Sequence, residues 1–213
     1  MAAVVRDELG ALLDSWPTGK WRLARGKEIL HRFEHGLVLD RGAKRGPLAL
    51  PYRDLRIYRE FNPTFSRGRT IVVFDWTFES SDGQTWTTPV EESRKGKRSA
   101  LPQMYKEALG QTCARQREAA VQRLGEGAAL AFGPVELDRS QISVGGRGTA
   151  PWTRVIELSV KPRGHRPTLV VKVGHDGRFV KERNLEVHMA KIPNFPLLWE
   201  LAHLAHAHAQ AAQ

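Results

Sequence analysis

The clearest pattern in the chain is a strict alternation. In RTIVVFDWTFESSDGQTWTTPV (69–90), Val72, Phe74, Trp76 and Phe78 fall on one face, with Val73, Asp75, Thr77 and Glu79 on the other. A period of two with one apolar face predicts a half-buried strand. Asp82-Gly83 follows, the dipeptide suited to a type I′ hairpin. PTLVVKVGHDGRFVKERNLEVH (167–188) repeats the form. Leu169, Val171 and Val173 alternate there, and Asp176-Gly177 supplies the turn.

Shorter period-two runs precede each long hairpin. HRFEHGLVLDRG (31–42) turns at His35-Gly36, and PVELDRSQISVGG (134–146) turns near Arg139-Ser140. Each pair leads to a proline, Pro51 or Pro151, then to an aromatic and an apolar-rich run, in LPYRDLRIYRE (50–60) and APWTRVIELSV (150–160). A proline cannot donate to a ladder, so each is predicted at a strand entrance. Read as a strand, 52–59 places Tyr52, Asp54, Arg56 and Tyr58 on one face and Arg53, Leu55, Ile57 and Arg59 on the other. The Leu55/Ile57 side is the better core face.

Helical spacing closes each half. Leu101, Tyr105, Leu109, Cys113, Ala120 and Leu124 recur at multiples of three or four, and Gly125 and Gly127 end the run. In KIPNFPLLWELAHLAHAHAQ (191–210), Asn194 is the predicted N-cap and Pro196 lies in the first turn. Leu198, Leu201, Ala202 and Ala205 form its apolar face. Before the first set, Val5, Leu9, Leu12 and Trp16 also have helical spacing, which predicts a short amphipathic helix over 4–15 ended by Pro17.

The pattern is therefore several short antiparallel strands and one covering helix, performed twice. The predicted class is mainly β with α (α+β). The predicted division is an N-terminal extension over 1–17 and domains over 18–124 and 128–210. This order resembles the pleckstrin-homology-like (PH-like) superfold, a bent antiparallel sheet or partly open barrel capped by a C-terminal helix. PYRDL (51–55) and PWTRV (151–155) resemble the Pro-Trp-x-acid-Ile strand of bacterial PH-like domains, although Arg154 stands where an acid is usual. AFGPVELDRSQIS, PWTRV and KIPNFPLLWEL, in that order, resemble an uncharacterised bacterial (actinobacterial-type) tandem PH-like family. The resemblance covers nearly all of 18–208. It implies the fold, the tandem arrangement and a binding or scaffolding role, and no catalytic residues.

Charge adds a second line. The 213 residues carry a formal net charge of +10, concentrated in RGAKRG (41–46) and RKGKR (94–98). Such clusters attract phosphates of lipid headgroups or nucleic acid. Arg41, Lys44, Arg45, Arg94, Lys95, Lys97 and Arg98 are the candidate polyanion ligands. Arg67 and Arg69 join them from a predicted loop over 60–69 that also carries Phe61 and Phe65, suited to a lipid interface or to stacking on bases. The plainer reading of these clusters is solvated loops.

Catalytic chemistry finds no motif. No Walker sequence, dinucleotide fingerprint, HExxH or triad is present, so no enzyme activity and no cofactor is expected. His203 and His206 are three apart on a helix and are the only metal candidates, but they lack an acidic or thiol partner nearby in sequence. A helix C-terminus accounts for such histidines equally well. Cys113 is the single cysteine and sits on an apolar stripe, which predicts a buried structural thiol. No run reaches the length of a transmembrane helix. Asp7, Glu8 and Asp14 interrupt what would be the apolar region of a signal peptide, so a cytoplasmic place is expected, with a peripheral place at the membrane left open. The expected function is a non-catalytic adaptor that binds protein partners or itself. Anionic-lipid binding is the alternative, and nucleic-acid binding the weaker one.

Overall fold

A computed structural model describes residues 8–18, 28–66, 69–91, 100–164, 166–174 and 182–212. One order of elements runs through it twice. The first set is β1 (Leu12–Pro17), β2 (Ile29–Phe33), β3 (Gly36–Asp40), β4 (Leu48–Pro51), β5 (Arg56–Ser66), β6 (Arg69–Glu79), β7 (Thr85–Glu91) and helix α1 (Ala100–Gly125). The second is β8 (Leu130–Phe132), β9 (Val135–Leu137), β10 (Gln141–Val144), β11 (Gly148–Pro151), β12 (Val155–Arg163), β13 (Arg166–Val173), β14 (Arg183–His188) and α2 (Phe195–Ala211). Each set forms a four-stranded and a three-stranded sheet, β1-β2-β3-β4 with β5-β6-β7 and β8-β9-β10-β11 with β12-β13-β14. The class is mainly β with α.

The chain divides into two compact units that interleave in sequence. Met1–Ile57 and Val73–Gln116 form one; Tyr58–Val72 and Arg117–Gln213 form the other.

In the first unit the alternation of β6 orders the core. Trp76 and Phe78 are buried, and the ring of Phe78 stacks on Trp86 of β7 at 5.1 Å between centroids. Register explains the pair, because Phe78 stands directly opposite Trp86. Tyr105 of α1 meets Phe78 edge-on at 5.3 Å. The buried side of α1 runs through Met104, Tyr105, Ala108 and Thr112, so Leu109 and Cys113 are half-buried rather than central. Helical periodicity located the face but missed its centre, because a buried Thr is not read as apolar.

Three local expectations change. The segment predicted to be helical through Trp16 is helical only at Glu8 and Leu9 among its described residues; 12–17 is strand β1, paired antiparallel with β2 from Pro17↔Ile29 to Leu12↔Phe33. Satisfying backbone groups on a neighbouring strand outweighs the weak helical pattern of a short run. The turn at Asp82-Gly83 is not type I′, which needs positive φ at both central residues. Among the described non-glycine residues only Asn194 has positive φ. Gly83 alone is left-handed (φ +81), its N–H donates to Ser80 O at 3.0 Å, and the Asp82 carboxylate accepts from the Gln84 N–H at 3.2 Å. Third, 52–54 is a turn, so Tyr52 is buried although it shares parity with the exposed Arg56.

The second unit has its own core. Trp152, Val155, Leu169, Val171, Leu198 and Leu201 are buried. Val170 and Thr168 are buried as well, so the alternation read for β13 fails there. Both faces of β13 are covered, one through Thr168 and Val170 and the other through Leu169 and Val171. Asn194 caps α2 through a left-handed backbone (φ 47) rather than through its side chain, and Pro196 occupies the first turn. The Asp176-Gly177 turn lies outside the described residues.

Candidate functional site

The two Pro-aromatic phrases fold alike. β4 ends at Pro51, and the Tyr52 N–H donates to His35 O at 2.9 Å; β11 ends at Pro151, and the Trp152 N–H donates to Ser140 O at 2.9 Å. Each chain then turns and drives its aromatic ring inward, Tyr52 to 1% and Trp152 to 0% exposure. In the first unit the Gln116 amide, reaching from α1, donates to Tyr52 O at 3.1 Å and Leu55 O at 2.9 Å and so pins the turn.

The rings differ in how their polar atoms end. Trp152 donates its Nε1–H to Asp138 O at 2.7 Å. The Tyr52 hydroxyl is buried and has no hydrogen-bond partner. Burial pushes its pKa up to about 12, against the opposing pull of the nearby Arg32 charge.

Tyr52 lines a cleft of about 530 Å³ with Leu13, Arg32, Phe33, Glu34, Glu107, Gly110 and Gln111. That is the size of an ordinary ligand site. Arg32 organises it. Its guanidinium pairs with Glu107 and with Asp14 at 2.6 Å and lies 5.6 Å over the Trp16 ring. Its Nε is buried and has no partner. A hydrogen bond from Gln103, together with Arg32, holds the Glu107 carboxyl below the usual range. The β-bulge between Leu12 and Asp14 re-aims Leu13 toward the cleft. Arg32 thus pairs with two carboxylates, those of Asp14 and Glu107, and Glu34 also lines the cleft. The Thr112 hydroxyl also lacks a partner, but it does not line this cleft.

Residues 100–211 match a family of unknown function, DUF6585. The chain belongs to the DUF6585 family. The match begins at the first residue of α1 and ends at the last of α2, so it holds both helices and the whole β8–β14 set. No curated protein matches the chain. Within the cleft, Glu107, Gly110 and Gln111 come from the DUF6585 segment, whereas Leu13, Arg32–Glu34 and Tyr52 precede it.

Of the basic residues singled out from the sequence of this DUF6585 chain, Arg41, Lys44 and Arg45 have described surroundings. Arg41 serves its own loop, donating to Gly46 O at 3.1 Å and Arg45 O at 3.2 Å. Arg45 pairs with Glu28 at 3.5 Å, and Lys44 is exposed. Arg67, Arg94, Lys95, Lys97 and Arg98 lie outside the described residues; the expected loop over 60–69 is instead strand β5 through Ser66, and Arg69 is the first residue of β6. A basic group that sequence reading missed lies in the second unit, where Arg59, Arg166, His188 and Lys191 with Glu60 line a cavity of about 160 Å³. Its members lie far apart in sequence, so no local run announced it.

The histidine pair separates. His206 bonds through Nε2 to Val155 O at 2.8 Å, which ties α2 to the start of β12, while His203 packs edge-on against Trp199 at 4.5 Å. The bond occupies Nε2 of His206 and leaves Nδ1 as the one ring nitrogen that could ligate a metal. Among the described residues no three His, Cys, Asp or Glu side chains converge as metal ligands. No helix among them is long and apolar enough to cross a membrane.

Proposed function

We propose that the chain is a non-catalytic tandem PH-like binding module that associates with protein partners, a second copy of itself included. The repeated order of seven strands and a helix supports the PH-like reading. One observation carries the function. Of the five large apolar side chains exposed among the described residues, Leu12, Leu13, Ile156 and Val160 stand on β1 and β12. Both are end strands of their sheets. An end strand presents unpaired backbone groups, and apolar side chains beside them suit a pairing partner. Each strand also has a bulge, between Leu12 and Asp14 and between Val155 and Glu157, which interrupts open-ended strand addition and favours limited, specific association.

Sedimentation velocity and a peptide array of extended segments test this reading. The paired variants Leu12→Lys/Leu13→Lys and Ile156→Lys/Val160→Lys should reduce association while leaving Tm nearly unchanged, since all four positions are exposed. A wild-type chain that stays monomeric at high concentration and takes up no peptide would overturn it.

A second reading, binding of anionic lipid or nucleic acid, draws on a different observation: the Arg59, Arg166, His188 and Lys191 cavity of the second unit. Co-sedimentation with anionic vesicles, beside a nucleic-acid shift assay, separates its two forms, and loss of both signals in Arg59→Ser/Arg166→Ser supports it. The cytoplasm is the compartment proposed under both readings, with a place at the membrane surface under the lipid form.

A further inference from the structure

We infer that the Tyr52 cleft of the first unit binds an extended basic peptide, an assignment that rests on the protein-association reading and gives the partner its chemistry. The unused groups of the site define the ligand. Tyr52 O–H and Arg32 Nε–H are both buried and both lack a partner. Both can donate, so the missing group is an acceptor, which a peptide carbonyl supplies. Leaving such donors unmet is costly, and the fold does not require it, because the equivalent Trp152 donates to Asp138 O.

The rim defines the rest of the ligand. Asp14, Glu34 and Glu107 outnumber the single Arg32, so a cationic side chain is favoured over an acidic one. Glu107 is 44% exposed, and a partner Lys or Arg that draws its carboxylate off Arg32 uncovers the two buried donors. Beside the cleft, β1 is the end strand of its sheet among the described residues, and Leu12 and Leu13, each about half exposed, offer apolar contact to alternate side chains of the peptide. Carbonyl acceptor, basic side chain and extended backbone together describe one occupant.

The test uses the full chain and two fluorescent hexapeptides, one alternating Val and Lys and one alternating Val and Glu, read by anisotropy. The Val/Lys peptide should bind and the Val/Glu peptide should not. Tyr52→Phe should weaken binding about fivefold, the worth of one ordinary hydrogen bond, with Tm unchanged or raised. Glu107→Gln should weaken it about threefold and reduce its salt dependence. Leu204→Ser, at an exposed position of α2 in the other unit, should bind the peptide as the wild type does. Equal affinity for both peptides, or full affinity in Tyr52→Phe, would overturn the assignment. If neither peptide binds but edge-sensitive self-association persists, this assignment falls and the association reading stands.

Discussion

Positions 52 and 152 occupy the same place in the repeated order, and shortening their polar reach should have opposite effects. Trp152→Phe removes the Nε1–H that satisfies Asp138 O and leaves a fully buried site partly empty. The orphaned carbonyl costs about 1–3 kcal/mol. The space vacated by the smaller ring adds about 1 kcal/mol, for a loss of roughly 2–4 kcal/mol in all. Tyr52→Phe keeps the ring and deletes a buried hydroxyl that has no partner, so it should cost nothing and can stabilise by up to about 1 kcal/mol. Urea unfolding at neutral pH, followed by tryptophan fluorescence for Tyr52→Phe and by circular dichroism for both variants, gives the comparison. A loss above about 1 kcal/mol in Tyr52→Phe, or below about 0.5 kcal/mol in Trp152→Phe, would refute the reasoning.

Other consequences are more local. Leu201→Ala, at a fully buried position of α2, should cost about 2–5 kcal/mol, and Leu109→Ala, half-buried on α1, clearly less; thermal melts rank them. Gly83→Ala should cost about 1–2 kcal/mol because φ is +81 there, whereas Ser81→Ala beside it should be nearly neutral. His206→Ala should lower stability by about 1 kcal/mol through loss of the Val155 bond, measured by the same melts. Burial raises Tyr52 and Tyr105 to about 12 from an ordinary value of 10.0. The unfolded chain therefore loses those protons first, and stability that is fully present below pH 10 should fall as pH rises toward 12. Tyrosinate absorbance at alkaline pH should show two of the three tyrosines titrating late or only on unfolding.

The sequence by itself determined the order of elements and most of the core. Period-two runs marked β2, β3 and β6 through β7, because a half-buried strand leaves its alternation in the residues; the glycines after α1 marked where that helix stops, whereas Pro51 and Pro151, expected at strand entrances, end β4 and β11. The repeat was legible for the same reason: Pro51-Tyr52 and Pro151-Trp152 are local signals. Tertiary context decided the rest. β1 is a strand because β2 lies beside it, and β13 loses its alternation because residues on both of its faces are buried. The Tyr52 cleft draws on residues from β1, β2 and α1 separated by up to ninety positions or more, and no local pattern connects Leu13 or Arg32 with Glu107. Of the basic runs, 94–98 lies outside the described residues, and in 41–46 Arg41 is held by its own loop. Charge can be counted along a chain, but whether it is free depends on the partners that folding brings within hydrogen-bonding distance.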